Sequence, residues 1–235
     1  AVTRNDEINM IVCQISSSLF NISKKIARIR SQEFLEGKWS KLYSKSNIPI
    51  DVIISPEREV AKSLFRKLEA PGALDNVPFV KDKVKLLEIL IEKKCPIANM
   101  PLNDLTKKFP EFKAYIFGAE RKDKFVFFKK NDQMKVGDKV YLVVSTDQIN
   151  KLLSVFGHDE KVAKKILIIG GGNVGLHLAK LLETSEGLRT KIIEKNKIRA
   201  EQIASELSSS IVICGDPLDE KILKEANIEE VETVF

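Results

Sequence analysis

The spacing of apolar residues divides the chain into three stretches with different periods. In residues 1–71, Ile8, Ile11, Val12, Ile15 and Leu19 recur at three- and four-residue intervals behind Asn5-Asp6, which predicts a capped helix. Two short β-branched runs, Lys25-Ile-Ala-Arg-Ile-Arg30 and Asp51-Val-Ile-Ile-Ser55, read as strands. Ser55-Pro56-Glu57 then opens a second helix. Serine accepts a backbone hydrogen bond, proline presets φ, and glutamate suits the positive helix end. Val60, Ala61, Leu64, Phe65 and Leu68 form its apolar stripe, and Pro71-Gly72 ends it.

Residues 77–156 are strand-rich. Val84–Ile91 is a mostly apolar run, and a short helix is predicted around Asn103–Phe109. Tyr115-Ile-Phe-Gly118 and Phe125-Val-Phe-Phe128 flank a charged turn at Arg121–Lys124, which predicts a hairpin. Gly137-Asp138 precedes the strand Val140–Val144, and a helix over Thr146–Phe156 closes a small α+β domain. Gly157–Ala163 reads as a polar linker.

Residues 164–235 alternate strand and helix. Lys165–Ile169 runs into Gly170-Gly-Gly172-Asn-Val-Gly175, followed by a helix with Val174, Leu178, Leu181 and Leu182 on its inner side. Thr190–Ile193 ends at Glu194; a helix (Ile198–Leu207), a strand (Ser210–Cys214), a helix (Glu220–Ala226) and a strand-like Glu232–Phe235 follow. Alternation of this kind predicts a parallel α/β sheet.

The formal net charge of +6 suggests an anionic partner, but residues 164–235 hold 10 Lys+Arg against 12 Asp+Glu, and residues 1–163 hold 39 − 10 = 29 against 33 − 12 = 21. The lysines are interleaved with acids, without the clustered patch and stacking aromatics that nucleic acid requires. Cys13, Cys95 and Cys214 are far apart and form no CxxC pair, which argues against a disulfide scaffold or a cysteine-rich zinc site and for reduced, cytosolic thiols. No basic leader or membrane-length apolar run is visible.

The chemistry concentrates at Gly170-x-Gly172-x-x-Gly175, the dinucleotide fingerprint in its strand–turn–helix setting. Gly170 permits the tight turn, Gly172 lets a pyrophosphate approach the backbone, and Gly175 allows close helix–strand packing. Phosphates would then meet free N–H groups and the positive helix end. Glu194, 24 residues beyond Gly170, can accept hydrogen bonds from ribose hydroxyls and repels a 2′-phosphate, favouring NAD over NADP. The competing reading is a Rossmann fold that keeps its glycines for packing. Leu176-His177 follows the last glycine where a kinase-like phosphate loop needs Lys-Ser/Thr, so His177 reads as a surface helix residue and His158 as a solvated linker residue. Asp216 faces the nucleotide crevice, or else Asp216 or Asp219 caps the next helix.

These residues resemble the RCK/KTN family, the regulators of K⁺ conductance, over essentially the whole chain. Ala1–Asn9, Ile26–Arg30, Asp51–Glu57 and Ala70–Asp75 look like the back half of its Rossmann domain and the crossover helix. Gly137–Val144 looks like part of its small domain, and residues 164–235 like the front of a second Rossmann copy. The resemblance implies doubly wound parallel sheet halves (residues 1–75 and 164–235) flanking a small α+β domain (76–157), with a linker at 158–163. It implies phosphate binding at Gly170, Gly172, Asn173, Val174 and Gly175, ribose binding at Glu194, Asp216 beside the adenosine, and Lys195 and Arg199 near the adenine or phosphates. Gly215-Asp-Pro-Leu-Asp219 departs from the family's GDxTD, which bears on the adenine side only. The implied ligand is NAD(H), with ATP or ADP sharing its adenosine and phosphates. The implied function is regulation, without catalysis, of a Trk-type potassium-translocating membrane subunit from the cytoplasmic face. Two copies exchanging Rossmann halves would bring Thr3, Glu7, Arg28 and Arg30 of one to the nucleotide of the other. The other readings are a truncated NAD-dependent dehydrogenase and a dimerisation module that binds no nucleotide.

Overall fold

Asn5 caps helix α1 (Asp6–Phe20) by accepting the Ile8 N–H at 2.9 Å. The computed structural model describes residues 1–35, 39–44 and 46–235. They fall into two units, residues 1–63 with 167–235 and residues 64–166. The buried side of α1 is Asp6, Asn9 and Cys13, whereas Ile8, Ile11, Val12, Ile15 and Leu19 are all exposed. The apolar stripe therefore does not pack inward within this chain. The polar side is selected because it serves the backbone beside strand β1 (Ile26–Arg28). Asn9 donates to the Arg28 carbonyl at 2.9 Å and accepts the Thr3 N–H at 2.8 Å, and Asp6 accepts the N–H groups of Arg30 and Ser31, both at 2.8 Å.

Helix α2 (Gln32–Leu35), which no periodicity signals, precedes strand β2 (Val52–Ile54), and β2 pairs in parallel with β1. On the other edge of β1, Ala1 donates to the Ile26 carbonyl at 2.5 Å and accepts the Arg28 N–H at 2.9 Å. Helix α3 (Pro56–Glu69) follows.

Residues 64–166 form a five-stranded antiparallel sheet. Its strands are β3 (Asp75–Phe79), β4 (Val84–Leu90), β5 (Ala114–Arg121), β6 (Lys124–Phe127) and β7 (Lys139–Ser145), in the order β3-β4-β7-β5-β6. Pro78 hides β3 from a propensity reading and is tolerated because β3 is an edge strand. Alternation on β4 and β7 sends Leu87, Ile89, Val140, Leu142 and Val144 to one face. They pack there with Leu105 of helix α4 (Leu102–Lys108), Leu152 and Leu153 of helix α5 (Ile149–Val155), and Met134.

The β5–β6 hairpin turns at Lys122-Asp123, both in the left-handed region, and a bulge shifts the register between Ile116 and Gly118. A Cβ at Gly118 would lie 2.5 Å from the Val126 carbonyl oxygen, so glycine is required for β6 to come this close.

Ion pairs around two buried side chains, Asp138 and Lys85, tie this unit together. Arg121 reaches both oxygens of Asp138, at 2.7 and 2.6 Å, and Asp138 also accepts the Lys135 N–H. Burial opposes the charge on Asp138, yet Arg121 and that N–H hold its carboxyl below the usual range. Lys85, 2% exposed, donates to Glu69 at 2.8 Å and lies 3.4 Å from Asp82, joining the end of α3 to β4.

His158 is buried rather than solvated, because its ring packs on Gly72, where a Cβ would come within 2.7 Å of it. Replacing Asp138 by Ala strips the bidentate partner from Arg121 and is expected to destabilise the chain by about 2–4 kcal/mol. The fall in the urea midpoint followed by circular dichroism measures it.

In residues 165–235 strands and helices alternate as expected: β8 (Lys165–Ile169), α6 (Asn173–Glu183), β9 (Arg189–Glu194), α7 (Lys197–Glu206), β10 (Ile211–Cys214), α8 (Glu220–Glu225) and β11 (Thr233–Val234). The sheet order is β10-β9-β8-β11. Phe235 exchanges backbone hydrogen bonds with Leu167 and Ile169, so β11 runs parallel to β8. Leu167, Ile193 and Ile213 pack on one face with Ala226 and partly buried Ile222 and Leu223. His177 is buried, not on the surface, because α6 is apolar on more than one side and also buries Leu176, Leu178, Ala179 and Leu182. Among the described residues no helix is long and apolar enough to cross a membrane.

Candidate nucleotide-binding site

The turn from β8 into α6 is shaped by three glycines with separate tasks. Gly170 has φ +107°, a conformation L side chains rarely adopt. A Cβ at Gly175 would sit 2.1 Å from the Gly170 carbonyl oxygen, so only glycine lets the helix start this close to the strand end. At Gly170 and Gly172 an added Cβ meets nothing within 4 Å, which leaves open space over the turn.

Helix α6 starts at Asn173 with no side-chain cap from Gly172, whereas α1, α7 and α8 are capped by Asn5, Asn196 and Asp219. The first-turn N–H groups of Asn173, Val174 and Gly175 therefore face that open space with the positive end of the helix dipole. Backbone donors, a helix dipole and no intervening Cβ fit a pyrophosphate.

Glu194, at the end of β9, is engaged on both oxygens: one accepts the Gly171 N–H at 2.7 Å, the other the Asn196 N–H at 2.8 Å. Each carboxylate oxygen retains a second acceptor position for a hydroxyl. Arg199 donates to the Gly171 carbonyl at 2.8 Å and approaches the Asn173 side chain at 3.4 Å, so it braces the turn from α7. Lys195 and Asp216 pair at 2.7 Å across the ends of β9 and β10. Lys195 accordingly holds the Asp216 carboxyl below its ordinary range, helped by the Leu218 N–H. Asp219, not Asp216, caps α8.

The structure thus places Gly170, Gly172, Asn173, Val174, Gly175, Glu194, Lys195, Arg199 and Asp216 at the carboxyl edge of one parallel sheet, where doubly wound folds hold ligands. Thr3, Glu7 and Arg28 lie on the 1–63 segment. No hydrogen bond or ion pair among the described residues joins them to the glycine turn. Thr3 is held by Asn9, Glu7 is exposed, and the Nε and Nη2 of Arg28 are buried without a hydrogen-bond partner.

Gly171 was not singled out from the sequence. A Cβ there would lie 2.4 Å from Ile203 Cδ1 and crowd Glu194; the run of three consecutive glycines was the available signal. Glu183 was also missed. It accepts the N–H groups of Ser208, Ser209 and Ser210 and so fixes the loop into β10. No group of three or more His, Cys, Asp or Glu among the described residues could hold a metal ion.

Residues 166–235 match the TrkA-N domain and residues 86–157 the TrkA-C domain. Solved RCK structures share the fold. A GsuK channel structure covers the whole chain with TM-score 0.62 at 16% identity, and one titled as bound to NAD does so with TM-score 0.60 at 15%; each time 39% of that chain is covered. The chain belongs to the RCK class, with a TrkA-N and a TrkA-C domain. Within it, its relatives are TrkA proteins of Trk potassium uptake systems. The chain is 43% identical to the one from Azorhizobium caulinodans over its whole length and 35% identical to that from Vibrio alginolyticus over 99% of it. It spans about half the length of the curated relatives it matches, 52% and 50% respectively.

Partial burial opposes the charge on Glu183, but the three backbone N–H groups prevail and hold its carboxyl at about 2. This folded-state value lies below the ordinary one of 4.5, so the stabilisation is complete above about pH 4.5 and lost as pH falls towards 2. After allowance for solvent screening, Glu183→Gln is expected to cost about 1–2 kcal/mol at pH 7. The difference from the parent should vanish at the acid end of a series of melts between pH 7 and 2.

Proposed function

We propose that the glycine turn of residues 170–175 binds NAD(H) and that the chain is a nucleotide-sensing regulatory part of a potassium uptake system. The observation that carries this reading is the uncapped start of α6 beneath open space at Gly170 and Gly172, with Glu194 held at the neighbouring strand end. Asn173, Val174 and Gly175 donate backbone N–H groups to the pyrophosphate, Glu194 takes the ribose, and Lys195, Arg199 and Asp216 border the adenosine. Both histidines of the chain, His158 and His177, are 7% exposed, which favours regulation over hydride transfer. ATP and ADP present the same adenosine and phosphates, so they compete for this cradle.

The relatives are named as Trk system potassium uptake proteins, and the rest of the proposal is a Trk-type potassium-translocating membrane subunit as partner, with the chain at its cytoplasmic face. Ligand binding acts by shifting the population of domain arrangements that the partner reads. In the assembled form, two copies exchange Rossmann halves. The order β10-β9-β8-β11 in one sheet and Ala1-β1-β2 in the other are the two parts of a doubly wound 3-2-1-4-5-6 order. Thr3, Glu7 and Arg28 then approach the nucleotide from the second copy, and the unpartnered guanidinium atoms of Arg28 meet an anion.

Thermal melts with NADH, NAD, ATP and ADP test the site. A ligand at about 100 times its Kd adds about 2.7 kcal/mol. Gly172→Ala, whose Cβ enters open space, should leave the unliganded melt nearly unchanged and abolish the shift; no shift with any of the four in the parent chain overturns the reading. Light scattering at micromolar concentration tests the exchange, and a stable monomer rules it out.

A further inference from the structure

We infer that this site does not read the identity of the purine base: Ile198 and Leu218 give the ring apolar contact, and the Lys195–Asp216 pair admits hypoxanthine as readily as adenine. The inference rests on the nucleotide reading of the glycine turn and names the ligand class of that same site. Leu218 and Ile198 are the two most exposed large apolar side chains among the described residues, at 91% and 79%. An isolated exposed apolar residue is ordinary, but these two flank one charged pair at the carboxyl edge of one sheet.

The strand register puts them there. β9 and β10 are parallel, with Glu194 matched to Cys214, and Gly215 donates to the Glu194 carbonyl at 3.0 Å. Ile198 and Leu218 each lie four residues beyond that matched pair, one in the first turn of α7 and the other in the turn before α8. Leu218 also stands just ahead of the Asp219 cap, from where an apolar residue often packs on the fourth helical residue, here Leu223. Its exposure means that it makes no such staple, so the helix does not account for it. A purine joined to a ribose at Glu194 meets both side chains, and covering them removes apolar surface from water.

Lys195 and Asp216 decide what is asked of the base. Adenine carries at its 6-position an amino group that donates, and hypoxanthine a carbonyl that accepts. Asp216 accepts from an amino group; Lys195 donates to a carbonyl. The two are bonded to each other at 2.7 Å, and the other Asp216 oxygen accepts the Leu218 N–H at 3.0 Å. With the pair closed, neither group reads the base. With it opened, either base finds its complement, so the pair confers no preference. Neighbouring backbone donors are engaged too: the N–H groups of Gly215 and Asp219 go to the Glu194 and Asp216 carbonyls, and Pro217 has none. A site that grips by apolar contact separates isosteres poorly, whereas one built to hydrogen-bond a group strongly rejects a ligand lacking it.

The test compares NAD with nicotinamide hypoxanthine dinucleotide, and ADP with IDP, by calorimetric titration of the full chain. Within each pair the dissociation constants should agree to about threefold. A preference of about tenfold or more for the adenine ligand overturns the inference and leaves the site standing. No binding of either NAD or ADP overturns the site and the inference together.

Variants separate the two contributions. Lys195→Ala leaves Asp216 as the one charged member of the pair and should shift the ratio about three- to tenfold towards adenine; Asp216→Ala should shift it as far towards hypoxanthine. An unchanged ratio in both refutes the balancing role of the pair. Ile198→Ser combined with Leu218→Ser should weaken all four ligands together, about five- to twentyfold, with the ratios kept. Both side chains are exposed, so the unliganded melt should stay where it was. Undiminished affinity in this folded double variant counts against the apolar contacts.

Discussion

An L side chain at position 175 would press its Cβ to 2.1 Å from the carbonyl oxygen of Gly170, and the whole turn from β8 into α6 is arranged around that contact. Because it is permitted only to glycine, α6 begins directly at the strand end. Its first N–H groups emerge beside the turn rather than against a side chain. Gly170 supplies the left-handed turn that makes the approach possible, and Gly171 is held by Ile203 beneath and Glu194 alongside. The polar features of the site follow from a packing requirement.

The charged groups around the turn already have partners within the chain. Glu194 receives two backbone N–H groups, Arg199 holds the Gly171 carbonyl, and Lys195 is paired with Asp216. Such pre-organisation lowers the ordering cost of binding. The Lys195–Asp216 pair is exposed, and its one mutual contact runs from side chain to side chain. It is therefore the easiest of these contacts for the proposed nucleotide to rearrange.

The 64–166 unit is stabilised differently. Its sheet buries one face and leaves the other rich in aromatics, and its polar groups are drawn into ion pairs. In one, Asp138 is buried against Arg121; in the other, Lys85 is buried against Glu69. These pairs constrain which strand and helix ends meet, because removing Arg121 or Glu69 leaves the buried Asp138 or Lys85 without its counter-ion.

Much of this was legible in the residues alone. The alternation of strand and helix over 164–235, the β5–β6 hairpin and the separate tasks of Gly170, Gly172 and Gly175 all follow from local rules. Period, turn chemistry and the absence of a Cβ act over a few residues, so the chain itself determined them. Tertiary structure decided what depends on distant neighbours. It put the polar side of α1 inward, since Asn9 and Asp6 complete backbone hydrogen bonds near β1 that no local pattern announces. It buried His158 against Gly72, 86 positions away in the chain, and His177 within a helix apolar on several sides. It also turned Glu194 towards the Gly171 N–H and gave the cap of α8 to Asp219, because hydrogen-bond partners are assigned by spatial proximity, and spacing along the chain lists only the candidates.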